Sequence, residues 1–337
     1  MDARARRGPS GRPGLDLAVL VVNAGSTSLK LHVVAGDEST PVDSFDVACE
    51  AVGHRVVHGG ARFREPVVLD DEVMRALAEL SEIAPLHNPP ALAGIEQARR
   101  ALPQVPHVAV FDTAFHATIP EEASVYAIPR RWREEWGIRR YGFQGISVQW
   151  SAERVRVPRL VVCHLGGGCS VTAVLDGRSV DTTMGFTPLE GVPMASRSGS
   201  VDPGALVYLL RSGRVTVAEL DRALEHESGL AALGGLGDPL GLAVYCHRIA
   251  AAAAAMAASL GGLDAVVFTA GVGENVPAVR AEVCRRLGFL GVRLDEELNE
   301  RAVPDAELGV PGSVRAVVVR AREELVIARA VRALVSA

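Results

Sequence analysis

Short apolar runs and helical periods alternate along most of the chain. Residues 17–22 are rich in β-branched side chains and predict a strand, ending at the turn Asn23-Ala24-Gly25-Ser26. Residues 29–34 predict the returning strand. Residues 160–183 repeat that plan, with an apolar run at 160–163, a turn at Gly166-Gly167-Gly168 and a return at 171–175. Asp176-Gly177 then signals a tight hairpin before a strand at 179–182. Val73, Leu77 and Leu80 recur at helical spacing within 70–82, and a helix over 90–101 opens on a proline, which a first turn tolerates. Further helices are predicted near 201–210, over 242–260, from the glycine turn at 271–273 through Leu287, and over 323–335. Residues 265–269 and 314–319 predict strands. Strands alternating with helices argue for an α/β class.

At 337 residues the chain exceeds one ordinary core, so two lobes are expected. Aromatic residues are only 4%, so the core must be built from Val, Leu, Ile and Ala. A net charge of −5 gives no electrostatic footprint for nucleic acid. The first 15 residues are Gly-, Pro- and Arg-rich without an apolar stretch, and read as a disordered leader. The cysteines, Cys49, Cys163, Cys169, Cys246 and Cys284, form no CxxC pair and read as free buried thiols of a cytoplasmic protein. The alanine-rich run at 250–260 is too short to span a bilayer and reads as a buried helix.

Three loops could carry chemistry. The turn from Asn23 to Lys30 offers backbone N–H groups, the hydroxyls of Ser26 and Ser28, and the Lys30 charge to an anion, without the spacing of a Walker loop. His164-Leu165-Gly166-Gly167-Gly168 leaves backbone with no side-chain cover, which suits close phosphate contact. Thr269-Ala270-Gly271-Val272-Gly273-Glu274-Asn275 joins a buried strand to a helix N-terminus. Each alone is an ordinary turn. Together they suggest a nucleotide lying between two lobes.

The segments VVNAGSTSLK, GHRVVHGG, PLHNPP, VFDTAFH, RRYGFQG, CHLGGG, DTTMGFTPLEG, SRSGSVDPG, VFTAGVGEN and EELVIAR occur in that order from Leu17 to the C-terminus. They resemble the motifs of the acetate kinase family (acetate and propionate kinases), and the chain resembles a shortened, divergent member. The resemblance implies a two-lobed actin/hexokinase/Hsp70-like (ribonuclease H-like) α/β fold with the nucleotide in the interlobe cleft. The expected parts are an N-terminal lobe over 16–145, a C-terminal lobe over 146–322 carrying the nucleotide and a dimer interface, and a helix over 323–337 packing back on the first lobe. The implied reaction moves the γ-phosphoryl group of ATP reversibly to acetate or propionate, giving an acyl phosphate and ADP. The implied cofactor is Mg²⁺ or Mn²⁺, the partners are a small carboxylate and a nucleotide, and the assembly is a homodimer.

By that resemblance Asn23 and Glu323 hold the metal and Lys30 contacts ATP. Arg55 binds the carboxylate or the transferring group, Asp112 stands at the reaction centre, and Arg197 stabilises the transition state. Val57, Leu86, Phe143 and Pro188 match the apolar pocket around the substrate methyl group. Ser26, Ser28, His164, Gly166, Gly167, Gly168, Asp238, Gly271, Val272, Gly273, Glu274 and Asn275 would line the nucleotide. The chemistry agrees, because transfer between two anions needs dense positive charge and close alignment. A guanidinium grips two oxygens in one plane. A carboxylate is already a nucleophile, so Asp112 is expected to position a cation or Mg²⁺ rather than remove a proton.

The chain departs from the family pattern at several positions. Gln144 stands where RRYGFHG carries its histidine, and Val148 replaces a second one. Gly167 replaces the asparagine of HLGNG, and Arg322 replaces another before Glu323. Asp238-Pro239-Leu240 aligns with the nucleotide segment, Leu240 replacing an arginine, and the shortening is read between Arg197 and Leu242. A glutamine still donates a hydrogen bond but carries no charge, a loss on the order of one hundredfold in rate. The rival reading is therefore a relative that binds nucleotide or acyl phosphate without efficient turnover. A third, a sugar or alcohol kinase, would need a base beside a polar pocket.

Overall fold

The computed structural model describes residues 17–24, 29–82 and 88–336. The chain divides into two units: Met1–Val57 with Glu65–Phe111 and Glu324–Ala337, and His58–Arg64 with Asp112–Glu323. The first unit holds strands β1 (Val19–Ala24), β2 (Leu29–Ala35), β3 (Glu38–Val42), β4 (Ala51–Val56), β5 (Val67–Val68) and β6 (His107–Phe111), with helices α1 (Asp71–Glu79) and α2 (Asn88–Ala101). The sheet order is β3-β2-β1-β4-β6-β5. The strand β1 is antiparallel to β2 but parallel to β4, which is parallel to β6.

The second unit holds β7 (Arg159–Leu165), β8 (Cys169–Leu175), β9 (Arg178–Thr182), β10 (Ala265–Thr269), β11 (Ala306–Glu307) and β12 (Arg315–Val318). Its helices are α3 (Glu121–Ser124), α4 (Arg130–Glu134), α5 (Gly145–Arg154), α6 (Pro203–Arg211), α7 (Val217–His226), α8 (Pro239–Ser259), α9 (Ala270–Asn275), α10 (Pro277–Arg286) and α11 (Glu296–Arg301). The closing helix α12 (Glu323–Val335) starts in this unit and lies in the first from Glu324 onward. The second sheet runs β11-β12-β10-β7-β8-β9, which is the first sheet's plan strand for strand. An antiparallel meander (β1-β2-β3, then β7-β8-β9) is followed by parallel strands (β4 and β6, then β10 and β12) and a short antiparallel edge. The repeat legible in the sequence covers only the hairpins; the structure extends it to all six strands of each sheet.

In the first unit, side-chain alternation sends successive residues to opposite faces. Leu20, Val22, Leu31 and Val52 form a core cluster with Ala98 of α2. Gly53 opens the other face: a Cβ there would lie 2.6 Å from Ile327 Cγ2 and 2.8 Å from Val331 Cγ2, so α12 rests directly on β4. Arg332 of α12 donates to the carbonyls of Leu17, Gly36 and Val34 at 2.8–2.9 Å. The pattern in the sequence did not reveal β4 or β6, because His54, Arg55 and His107 interrupt it. The two histidines are buried nonetheless, stacked with His54 Nε2 2.9 Å from His107 Nδ1.

In the second unit α8 is long and apolar enough to cross a membrane. Tyr245, Cys246, Ile249, Ala253, Met256 and Ala257 are buried, and the helix packs on β7, β8 and α10. The glycine turn expected at 271–273 is wound into α9, which ends where Pro277 opens α10.

Candidate active site

The second unit brings Gln144, His164 and Arg197 to the β7–β8 turn. These strands pair from Arg159↔Leu175 to Leu165↔Cys169, so Gly166, Gly167 and Gly168 make the turn, closed by Gly166 N–H donating to Gly168 O at 3.0 Å. Ala195 N–H donates to Gly167 O at 3.3 Å, which ties the turn to the segment before Arg197. A Cβ on Gly166 would meet Ala270 Cβ at 3.5 Å and His164 Nε2 at 3.7 Å, so the other glycine-bearing segment lies beside it. A Cβ on Gly168 would lie 3.0 Å from Gln144 Nε2 and 3.4 Å from Arg197 Nη1. Two nitrogen donors thus close on one patch of bare backbone.

Gln144 holds a left-handed backbone (φ 61°), uncommon for a residue with a Cβ. It stands before α5 without capping it by its side chain. Its Oε1 accepts from Ser170 Oγ at 2.6 Å, in a buried bond. The next residue must be glycine: a Cβ on Gly145 would lie 2.3 Å from Asp112 O. Without one, Gly145 N–H donates to Asp112 O at 2.9 Å, so the backbones of Asp112 and Gln144 are tied together. Asp112 is 1% exposed and follows β6 directly. His116 lies with Nε2 2.9 Å from Phe143 O and Nδ1 2.8 Å from Ser179 Oγ. A carbonyl partner requires the proton on Nε2. Burial lowers the His116 pKa to about 4, so the ring is neutral. His58, edge-on to Tyr141 and Phe143, is likewise lowered to about 4 by burial.

Arg197 is held from behind. Glu225 Oε2 of α7 lies 3.0 Å from its Nε, with side chains only 21% and 10% exposed for the arginine and the glutamate. Its Nη1 donates to Pro188 O at 3.3 Å. Burial pushes the Glu225 carboxyl up from its usual range although Arg197 opposes this.

At the end of β10, Thr269 pairs with His164 of β7, whose Nδ1 is 2.8 Å from Ser147 Oγ. Ala270 is left-handed (φ 65°). Glu274 Oε1 accepts from Ala270 N–H at 3.0 Å and Ala321 N–H at 2.9 Å, fastening this segment to the chain two residues before Glu323. Asn275 Nδ2 donates to Gly271 O at 2.8 Å. Arg280, 1% exposed, donates to Gly273 O, Glu274 O, Asn299 Oδ1 and Asn299 O at 2.7–3.0 Å. Glu274 and Asn275 therefore shape the segment by internal bonds, while Gly271 is exposed and Val272 half-buried. Asp238 is not part of these contacts; its Oδ1 caps α8, accepting from Leu240 N–H at 2.8 Å and Gly241 N–H at 3.1 Å.

In the first unit Asn23 and Lys30 are directly opposed in the β1–β2 ladder and share a face. Arg55 of β4 donates from Nη1 to Asn23 Oδ1 at 3.2 Å. Val57 follows β4 and is half-buried. Phe143 and Pro188 are buried in the second unit. Ser26, Ser28 and Leu86 lie outside the described residues. Ser170, Glu225 and Arg280 escaped the sequence reading. Ser170 is one small residue in an apolar strand, and α7 reads as an ordinary charged helix with a capping box from Thr216 and Glu219.

No cluster of three or more His, Cys, Asp or Glu that could hold a metal occurs among the described residues. Asn23 of the first unit and Glu323 of the second each carry an oxygen donor of the kind a hard cation prefers.

Two sheets of one plan, each with its turn-forming hairpin beside parallel strands, define the actin/hexokinase/Hsp70 (ribonuclease H-like) class. A solved propionate kinase from Francisella tularensis superposes with TM-score 0.88 at 30% identity, over 94% of this chain and 99% of that one. The acetate kinase of Porphyromonas gingivalis gives TM-score 0.84 at 30% identity, over 95% and 100%. An acetate kinase of Gloeobacter violaceus is 49% identical over 306 residues, 83% of this chain and 75% of that protein. The Acetokinase family model matches residues 38–329. The chain belongs to the acetokinase family.

Proposed function

We infer that the chain is a phosphotransferase with a carboxyl group as acceptor, moving the γ-phosphoryl group of ATP reversibly to acetate or propionate. The observation that carries this is the convergence of Gln144 Nε2 and Arg197 Nη1 on the bare backbone of Gly168. Two donors aimed at one spot, beside a glycine turn, suit an oxyanion that develops charge during transfer.

The residues divide the work by chemistry. Arg55 offers a planar fork to the incoming carboxylate, and its bond to Asn23 aims it. Phe143 and Pro188 supply apolar surface for a methyl or ethyl group; acetate is the expected substrate, and because one methylene gives only a small discrimination these residues do not by themselves reject propionate. Arg197, braced by Glu225, and Gln144 hold the phosphoryl oxygens. Asp112 is fixed by its backbone tie to Gly145 and orients the positive groups around the transferring unit. The turn at Gly166 to Gly168 and the segment from Ala270 to Asn275 admit the nucleotide phosphates against backbone N–H groups. Asn23 and Glu323 would hold Mg²⁺, which neutralises nucleotide phosphate charge when bound. Neither His116 nor His58 serves as a charged group near neutral pH, because burial keeps both neutral. A homodimer is proposed from family membership alone, to be checked by light scattering.

The test is acyl phosphate formation from acetate, propionate and butyrate with ATP and Mg²⁺, trapped as the hydroxamate. Turnover on one of the short acids that is lost by about 10³-fold or more in Arg197→Ala is expected. No product from any acid, or an Arg197→Ala variant as fast as the parent, refutes the reading.

A further inference from the structure

We propose that Ser170 is a positioning residue that sets the direction of the Gln144 side-chain amide, so that its NH₂ end faces the phosphoryl group. This rests on the carboxylate kinase reading and adds a residue to it. An amide has two ends of opposite polarity, and only the NH₂ end attracts a phosphoryl oxygen. Gln144 carries no charge that would make the choice for it, so a neighbour must. Ser170 is fully buried on β8, directly across the ladder from His164. Its hydroxyl donates to Gln144 Oε1 at 2.6 Å. With Oε1 occupied, Nε2 is turned to the spot 3.0 Å away where a Cβ of Gly168 would be, and Arg197 Nη1 reaches that same spot from 3.4 Å. Two donors side by side, with the acceptor end of the amide turned away, suit an incoming oxyanion.

The backbone supports the assignment. A left-handed backbone is unfavourable for a glutamine and persists only where its surroundings over-determine it. Two bonds do so here, from Gly145 N–H to Asp112 O at 2.9 Å and from Ser170 to the Gln144 amide at 2.6 Å. The first fixes where the side chain starts, and the second fixes which way its end turns.

The experiment compares the parent with Ser170→Ala, Ser170→Cys, Gln144→Gly and the double variant Ser170→Ala/Gln144→Gly. Glycine accepts the left-handed backbone. Acyl phosphate formation gives kcat and KM, melting temperature reports folding, and calorimetry with inorganic phosphate reports anion binding without turnover. Ser170→Ala is expected to lower kcat by about tenfold or more, leave both KM values within about twofold and weaken phosphate binding. In the Gln144→Gly background the same change is expected to cost nothing further, since Ser170 acts only through the amide. Ser170→Cys keeps a side-chain donor, weaker and on a somewhat larger atom, and falls between, which covers the case in which the alanine variant folds poorly. Unchanged kcat and phosphate binding in Ser170→Ala or Ser170→Cys overturns the proposal. So does an equal loss with and without Gln144. A parent protein that binds phosphate in a Ser170-dependent manner yet makes no acyl phosphate sinks the kinase reading and leaves the amide orientation standing.

Discussion

Gly168→Ala places a single methyl group where the site is tightest. The added carbon would stand 3.0 Å from Gln144 Nε2 and 3.4 Å from Arg197 Nη1, with Met184 Cε at 3.7 Å. Ordinary carbon contacts settle near 3.5–4.0 Å, so the amide must retreat by about half an ångström. It cannot retreat freely, because Ser170 holds its far end at 2.6 Å, and Glu225 holds the guanidinium at 3.0 Å. The methyl also occupies the spot on which both donors converge. Removing one oxyanion donor typically costs 10²–10³ in kcat, so a loss of about one hundredfold is expected, about 2.7 kcal/mol of transition-state stabilisation. Gly168 does not have a positive φ, so alanine adds no backbone strain and trims the entropy of the unfolded chain by about 0.4–1 kcal/mol. Crowding against the held amide opposes that gain by about 1–3 kcal/mol, so the melting temperature should fall only modestly while turnover collapses. Gly167→Ala puts a methyl on the same turn with nothing of the protein within 4 Å of it, so it should cost clearly less turnover than Gly168→Ala. Steady-state hydroxamate assays on the two purified variants decide the matter. A Gly168→Ala enzyme as fast as Gly167→Ala would refute the convergence of Gln144 and Arg197 on this turn.

Three further outcomes are expected. Glu225→Gln removes the charged brace behind Arg197 and should lower kcat by about tenfold, more than it raises either KM; equal changes in all three would point to general damage instead. Arg280→Met strips four bonds from a buried guanidinium and orphans the Gly273 and Glu274 carbonyls, so urea unfolding should show a loss of about 3 kcal/mol or more. The buried histidines make the fold sensitive to acid: His116 and His58 titrate near pH 4 in the folded chain against about 6.5 when unfolded. The unfolded chain therefore binds protons first as pH falls, and stability is full above about pH 6.5 and drains away between there and pH 4. Melting curves across that range should show the drop, and His116→Gln should flatten part of it. A profile identical to the parent's would remove His116 from the account.

How much of this was legible in the sequence depends on how local each signal is. The hairpins at Asn23 and at Gly166–Gly168 could be read because β-branched runs and glycine turns act over a few residues. Strand β10 and helix α12 were placed to the residue for the same reason, being segments with clear ends. The central strands β4 and β6 were hidden, because His54 and His107 look polar in a linear reading yet are buried, stacked and joined through His54 Nε2 and His107 Nδ1. The segment at Ala270–Asn275 reads as a glycine turn, but internal bonds from Glu274, Asn275 and Arg280 wind it into a helix.

The site divides along the same line. Gln144 was visible as a break in a motif, and Asp112 and Arg197 as members of motifs, but nothing local announces what aims them. Gly145 meets Asp112 across 33 positions, Ser170 meets Gln144 across 26, and Glu225 meets Arg197 across 28, differences set by which strands and helices the fold lays side by side. A serine in a buried strand or a glutamate on a charged helix has the same local signature whether it positions a donor or not. The glycines are the intermediate case. Gly168 and Gly167 are adjacent and identical in type, yet a methyl group would meet two donors at one and open space at the other. The motif shows that bare backbone is required at the turn, while only the folded second unit shows which glycine supplies it.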